Sequence, residues 1–420
     1  MESIKPIPAS AVKVTLGKPV VVSMADPAER TWGYWQFPTI SRMPGGEILL
    51  TVNHNQDDDL CYGHSAPAFH SHDDGETWQP ADIDEKGLTI SHSPIAEVFS
   101  GEFLCVPMPL GFRPSELPPK LLKNPVSTFQ DYIPRSFHRL EKFPQEVKDY
   151  FSHLRGLRWT PTTRQWREEK IAWDMRGALL RLDGGGMIGH AWSRTSLEYR
   201  PVRFGNELLD ANYKMAYLHD DGTALRGFEV WCMTSRDNGR SWQRRGLIAS
   251  DPTGKVPPTE TALSVTTRGD LLCVVRTTHR LQLSMWVTHS QDGGRTWSQP
   301  KTLFDHGVLP NLQLLGNGVL ALSFGRPGVD LSFSPDGTGR SWTKPIEVLP
   351  TGIPRNARWT WEKILQADPD NVNLQKDGYT SLLPLAKNKF LIAYCDMAHV
   401  DACGRKRKAA MVRTVMVDLR

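Results

Sequence analysis

The chain has 420 residues, enough to bury one large core or two. Its 50 basic and 46 acidic residues nearly cancel, leaving a formal net charge of +4, a balance that argues against a nucleic-acid partner. No run approaches the ~18 apolar residues of a membrane-spanning helix, so no membrane partner is expected.

The start, Met1-Glu-Ser-Ile-Lys-Pro, lacks the apolar core of a signal peptide. No two of the six cysteines stand at C-x-x-C spacing, and Cys105, Cys232, Cys273 and Cys395 lie in apolar, strand-like runs. Both features point to a cytoplasmic protein with buried free thiols; a chain that has lost its leader would instead be secreted or periplasmic. The 34 glycines, 31 prolines and 14 tryptophans suit many short strands joined by turns.

Taken in order, the chain opens on a weakly alternating segment, 12–23, expected to pair with a C-terminal strand over 411–419 and so remove free sheet edges. Six segments then share one pattern: a strand, a Gly- or Asn-containing turn, and an apolar second strand. They are 37–52, 93–106, 176–189, 261–276, 311–325 and 379–394. Four of the units carry a second phrase, Ser-x-Asp-x-Gly-x-Thr/Ser-Trp. It runs from Ser71 to Trp78, from Ser235 to Trp242, from Ser290 to Trp297 and, with one residue inserted, from Ser334 to Trp342. Asp can hydrogen-bond the backbone of such a turn, Gly supplies positive φ, and Trp covers the turn with its apolar face. Trp242 and Trp297 are 55 residues apart and Trp297 and Trp342 are 45 apart, a period suited to four strands per unit. Six such units predict a six-bladed β-propeller over 1–420.

Residues 107–170 break the period and read as an insertion in the second unit, lying over one face, with a helix at 143–157. A shorter insert at 350–373 carries Arg355, Arg358, Trp359, Trp361 and Glu362. The basic run Arg405-Lys-Arg-Lys408 reads as a solvated turn between the last two strands.

The repeated Asp-Gly-Trp phrase resembles the Asp-box, or BNR repeat, of the sialidase (neuraminidase) superfamily. That resemblance implies an all-β, six-bladed propeller of the sialidase-like type, with the boxes on the rim away from the active face. Ligand groups would then come from the starts of first strands and the ends of second strands: Gln36, His92, Asp174, Arg176, Glu260, Asn311 and Tyr379, with His54, His190, Arg194, Arg276, His279 and Arg326. Within this set Tyr379 looks like the family's nucleophile and Glu260 like the base beside it. Arg276 and Arg326 look like two of its three carboxylate-binding arginines. The first of those arginines stands in an Arg-Ile-Pro phrase; here the phrase is Gln36-Phe37-Pro38, so the clamp is incomplete. The family's acid/base Asp falls among Asp57-Asp58-Asp59, of which Asp58 is taken as the candidate. The implied activity is exo-acting hydrolysis of a terminal, acidic sugar of an oligosaccharide or glycoconjugate. A uronate lyase on the same scaffold and a non-catalytic glycan-binding propeller are the alternatives. His54, His64, His70 and His72 are dense, yet no pair has metal-ligand spacing on one strand, so neither metal nor cofactor is expected.

Overall fold

A computed structural model describes residues 3–29, 31, 33–54, 66–83, 88, 90, 93–107, 123–130, 134–183, 188–190, 200–214, 217–225, 227–251, 253, 256–277, 284–326, 328–350 and 378–420. The described residues are all-β apart from short 3-10 turns and one α-helix, Gln145–Tyr150. They fall into two compact units: 1–56 with 66–83 and 259–420, and 57–65 with 84–258.

The first unit holds four antiparallel meanders. One comprises Gln36–Arg42, Ile48–Asn53, Ala68–Ser71 and Gln79–Ala81, and the next Thr259–Val265, Leu271–Arg276, Met285–Ser290 and Lys301–Phe304. The third is Val308–Leu314, Leu320–Gly325, Val329–Ser334 and Ile346–Leu349. In the last, Thr380–Ala386, Lys389–Val400 and Lys406–Leu419 are joined by Val12–Leu16 and Val20–Met24, both antiparallel to Lys406–Leu419, as the sequence leads one to expect. The inner strands of these meanders are largely buried, and the third and last meanders are packed on both sides. Leu272 and Val274 meet Leu320, Leu322 and Trp342. Leu331 and Phe333 of the third meander meet Phe390, Ile392 and Val415 of the last, and Leu391 and Val412 there meet Ile40 and Leu50 of the first.

The second unit contains two more four-stranded meanders, bridged by a two-residue parallel pairing of Ala172–Trp173 with Ser241–Trp242. One is Ala96–Glu97, Phe103–Cys105, Leu154–Trp159 and Trp166–Trp173; the other is Val202–Phe204, Glu207–Lys214, Phe228–Ser235 and Ser241–Asp251. A further sheet joins Ser127–Gln130, Pro134–Arg139, Leu179–Asp183 and Ile188–His190.

Three expectations change here. The hairpin at 176–189 forms, but it pairs with Pro134–Arg139. The sheet carrying the 235–242 turn begins instead with Val202–Phe204 and Glu207–Lys214, reversing at Gly205 in the left-handed region (φ +59°). The helix is confined to Gln145–Tyr150, because Leu154–Trp159 is drawn into a sheet where Gly156 faces Ile171 so closely that a Cβ would lie 2.4 Å from its Cδ1. Residues 154–170 thus contribute the paired strands Leu154–Trp159 and Trp166–Trp173. Finally, the basic run is not all solvated: Lys408 is buried and its ammonium donates to the Thr31 and Tyr34 carbonyls, while Arg407 donates to Ala25 O.

The four repeated turns share one network. Ser71, Ser235, Ser290 and Ser334 each donate to the Asp two positions on, at 2.8–2.9 Å, and each accepts the turn glycine's N–H. Each tryptophan N–H closes the turn on the glycine carbonyl, at 2.9–3.2 Å. These bonds favour a charged Asp, and that of Asp73 is held down to about 2, first by the Thr77 hydroxyl. Glycine is required twice over at Gly239 and Gly339: φ is +86° and +68°, and a Cβ would lie 2.6 and 2.7 Å from leucine methyls of the adjacent sheet.

Candidate active site

The polar cluster of the first unit is assembled by backbone irregularities at the ends of its strands. Thr259 pairs with Arg276 and Thr261 with Val275, so Glu260 occupies a bulge. A bulge re-aims side chains, and here it brings the Glu260 carboxylate to Arg276, whose Nη1 donates to Oε1 at 2.5 Å. Between Val308↔Gly325 and Asn311↔Ser323 the next meander bulges too. Leu309 adopts φ +40° there and donates its N–H to Glu260 Oε2 at 2.8 Å.

Tyr379 enters from the last meander. Its hydroxyl donates to Glu260 Oε1 at 2.8 Å, across 119 residues of sequence, and Arg276 Nη1 stands 3.5 Å from the same hydroxyl. The approach depends on two glycines: a Cβ on Gly325 would lie 2.0 Å from Gly378 Cα, and one on Gly378 2.3 Å from Arg326 N. That contact carries Arg326 (φ +60°) to the Tyr379 ring, with its guanidinium carbon 5.4 Å from the ring centroid. Asn311 Nδ2 donates to Thr380 O at 2.7 Å and pins the strand behind Tyr379. Phe37, at φ +56°, packs edge-on against the Tyr379 ring at 4.6 Å.

Burial grades across the cluster. Glu260 and Arg276 are 2% exposed and Tyr379 is 9% exposed, so the ion pair sits beneath the phenol. Burial pulls the Arg326 guanidinium below its ordinary value; Arg276 adds to the effect and Tyr379 and Glu260 oppose it. Chemically, a carboxylate within hydrogen-bond reach of a phenol can accept its proton, and a nearby cation stabilises the phenolate that results.

Gln36 has a different position from a ligand group. It is 1% exposed, and its carbonyl accepts the Gly33 N–H at 2.6 Å while Asn53 holds the Gly33 carbonyl at 3.0 Å. Together with Lys408 these bonds fix the loop that presents Phe37. His54 is exposed beside Tyr34 and Trp35. Asp174 and Arg176 belong to the second unit, where they pair with each other at 2.6 Å and Asp174 also binds Arg244 at 3.0 Å. Asp58, His92, Arg194 and His279 lie outside the described residues, as do the insert residues Arg355, Arg358, Trp359, Trp361 and Glu362.

Sequence reasoning missed three contributors: Phe37, the Leu309 N–H and the Gly325–Gly378 contact. The Gly325-Arg326 and Gly378-Tyr379 pairs were the readable signal for the last of these; nothing in the sequence marks Phe37 or Leu309 as left-handed.

No protein-family model matches the chain, and no curated protein matches it. Solved structures do. A protein of unknown function from Dyadobacter fermentans aligns over 97% of this chain and 99% of its own, at 17% identity and a TM-score of 0.57. An α-L-arabinanase from Penicillium chrysogenum, complexed with arabinobiose, covers 95% and 98% at 14% identity and 0.51. A Hadza microbial sialidase covers 96% and 68% at 14% identity and 0.51. At such identities the likeness is one of fold: an all-β, propeller-like chain of antiparallel sheets.

Proposed function

We propose that this protein is a glycoside hydrolase built on a six-bladed, sialidase-like propeller, acting on the end of a sugar chain. Tyr379 attacks the anomeric carbon while Glu260 accepts the phenol proton, and the glycosidic oxygen leaves with a proton from a separate acid, assigned to Asp58. Water then releases the sugar from the tyrosyl intermediate. A phenol with a pKa of ~10 is a poor nucleophile without a base. The observation that carries the reading is the 2.8 Å bond from Tyr379 to Glu260, with Arg276 in reach of both oxygens.

Arg276 and Arg326 are assigned to an acidic group on the substrate; Arg276 is also paired to Glu260 and Arg326 lies over the Tyr379 ring. One observation favours a second reading of the substrate. Gln36 stands where the resemblance calls for the first arginine, and its side-chain carbonyl accepts the Gly33 N–H, which suits a neutral terminal sugar.

The test is a panel of 4-nitrophenyl glycosides, neutral and acidic, given to the parent and to Tyr379→Phe. Release of 4-nitrophenol by the parent alone supports the tyrosine mechanism, and the preferred glycoside decides the sugar class. Equal activity in Tyr379→Phe would sink it. Formation of an absorbing, unsaturated uronate from a polyuronate would point to a lyase instead.

A further inference from the structure

The four repeated turns keep the same hydrogen bonds but not the same burial. Trp242 and Trp342 are 1% and 0% exposed, whereas Trp297 is only half-buried although its N–H is closed on Gly294 O like the others. Its free ring surface lines a cavity of about 540 Å³, bounded also by His289, Gln291, Lys301, Arg340 and Ile4. A concave site with an aromatic wall and a few converging polar groups is the usual form of a ligand pocket.

Among the described residues the charged groups that line it are Lys301 and Arg340, which stand on it from two neighbouring meanders. Asp270 reaches Arg340 only at 3.8 Å, an exposed pair of little energy. His289 sits against Thr338 O at 3.3 Å, and burial first, then Arg340 and Lys301, push it below its ordinary value, so it stays neutral and adds a polar ring. The pocket is separate from the Tyr379 cluster: Leu271 pairs with Ser290 at the turn, while Val275 pairs with Trp286 next to Arg276. The two ends of that strand are about 17 Å apart at the usual rise per residue.

We propose that this pocket is a second, non-catalytic saccharide site that takes an acidic sugar unit, carboxylated or sulfated. The Trp297 ring stacks on the sugar's C–H face, Lys301 and Arg340 hold its anion, and Gln291 bonds its hydroxyls. The assignment rests on the pocket alone and is independent of the hydrolase reading.

Affinity gel electrophoresis tests it, with polygalacturonate, dextran sulfate or neutral dextran cast in the gel. The parent and Tyr379→Phe should be retarded equally by at least one polyanion and not by dextran. Retardation by polygalacturonate alone assigns a carboxylate, by dextran sulfate alone a sulfate, and by both an anion of either kind. The Lys301→Gln/Arg340→Gln double variant should lose at least tenfold in apparent affinity with its melting temperature unchanged. A charge-matched control, Lys13→Gln/Lys18→Gln, should lose less than twofold. Equal losses in the two double variants, no loss in Lys301→Gln/Arg340→Gln, or no retardation of the parent would overturn the site.

Discussion

Each unit of this protein contains a tyrosine bonded to a glutamate with a cation over the ring. In the first unit Tyr379 donates to Glu260 at 2.8 Å with Arg326 over its ring; in the second Tyr217 donates to Glu229 at 2.6 Å with Lys214 4.2 Å from its ring centroid. The surroundings differ. Glu229 pairs with Lys214, and Trp231 with Asn212, in a regular antiparallel register, and the same Glu229 oxygen also accepts the Trp231 N–H at 2.7 Å. Burial, then Glu229, pushes the Tyr217 phenol well above its ordinary range. In the first unit the glutamate sits in a bulge, a left-handed Leu309 supplies its second bond, and Arg276 faces both the phenol and the carboxylate oxygen. The residue types coincide; a bulge at the glutamate itself, and a second cation at the oxygens besides the one over the ring, separate a candidate site from a structural network.

The largest expected effect breaks or keeps that distinction. On whichever glycoside the parent cleaves, Tyr379→Phe should lower kcat by about 10³-fold or more, while KM moves little, since the lost oxygen acts in the transition state. Tyr217→Phe should leave kcat within about threefold and act on stability instead, by roughly 1–3 kcal/mol for the unsatisfied Glu229. Comparable kcat losses in both would erase the difference drawn between the two pairs.

Gly378→Ala should come next. The added methyl would meet the Arg326 backbone at 2.3 Å, and φ of +119° is unfavourable for alanine. Tyr379 must then shift, and a misplacement of about 1 Å costs on the order of 10²-fold in activity. Gly205→Ala in the second unit, at φ +59° with open space around its Cβ, should cost stability only. Activity assays beside thermal melts separate the two outcomes.

The contrast between the units also marks what the sequence could and could not tell. Hairpins of the first unit were readable because Gly269, Gly318 and Asn388 punctuate long apolar runs, and because the paired termini leave few alternatives. The meeting of Tyr379 with Glu260 was readable only through a resemblance, since no local pattern joins residues 119 apart. Bulges at Phe37, Glu260 and Leu309 leave no compositional trace: each is imposed by packing on residues that prefer ordinary strand angles. In the second unit the 176–189 hairpin was visible, but alternation does not name a partner strand, and Pro134–Arg139 took the place expected of its own repeat. Lys408 shows the same limit, because a basic run reads as solvated until the Thr31 and Tyr34 carbonyls are found to accept from its ammonium.

Turn tryptophans offer a milder test. Trp242, 1% exposed in the second unit, packs with Trp173 and Leu208, and Trp242→Ala should destabilise by about 3–5 kcal/mol. Trp297 in the first unit is half-buried, so Trp297→Ala should cost clearly less, on the order of 1–2 kcal/mol from its smaller buried area. Denaturant melts of the two variants decide it. Equal losses would mean that the cavity beside Trp297 contributes nothing to the difference.

The smallest net effect comes from two buried cations of opposite tendency. In the first unit burial alone would push His306 down, but bonds to Asp305 at 2.8 Å and Asp330 at 3.2 Å raise it from 6.5 to about 9. Folded protein therefore holds the extra proton between those values, and the stabilisation, complete below pH 6.5, is lost as pH rises through about 9. In the second unit burial, then Arg244, lowers Lys214 from 10.5 to about 7 against the pull of Asp174 and Glu229. There the unfolded chain binds more protons, so stability rises as pH climbs from about 7 to 10.5. Each slope amounts to a few kcal/mol across its window, and between about pH 7 and 9 they oppose one another, leaving global stability nearly flat. Amide exchange followed strand by strand should resolve them: protection in Val329–Ser334 should fall over this range while protection in Phe228–Ser235 rises. His306→Gln should flatten the first trend and Lys214→Met the second. A shared trend in both strands would show that the two cations do not titrate independently, and the contrast between the units would fail at its weakest point.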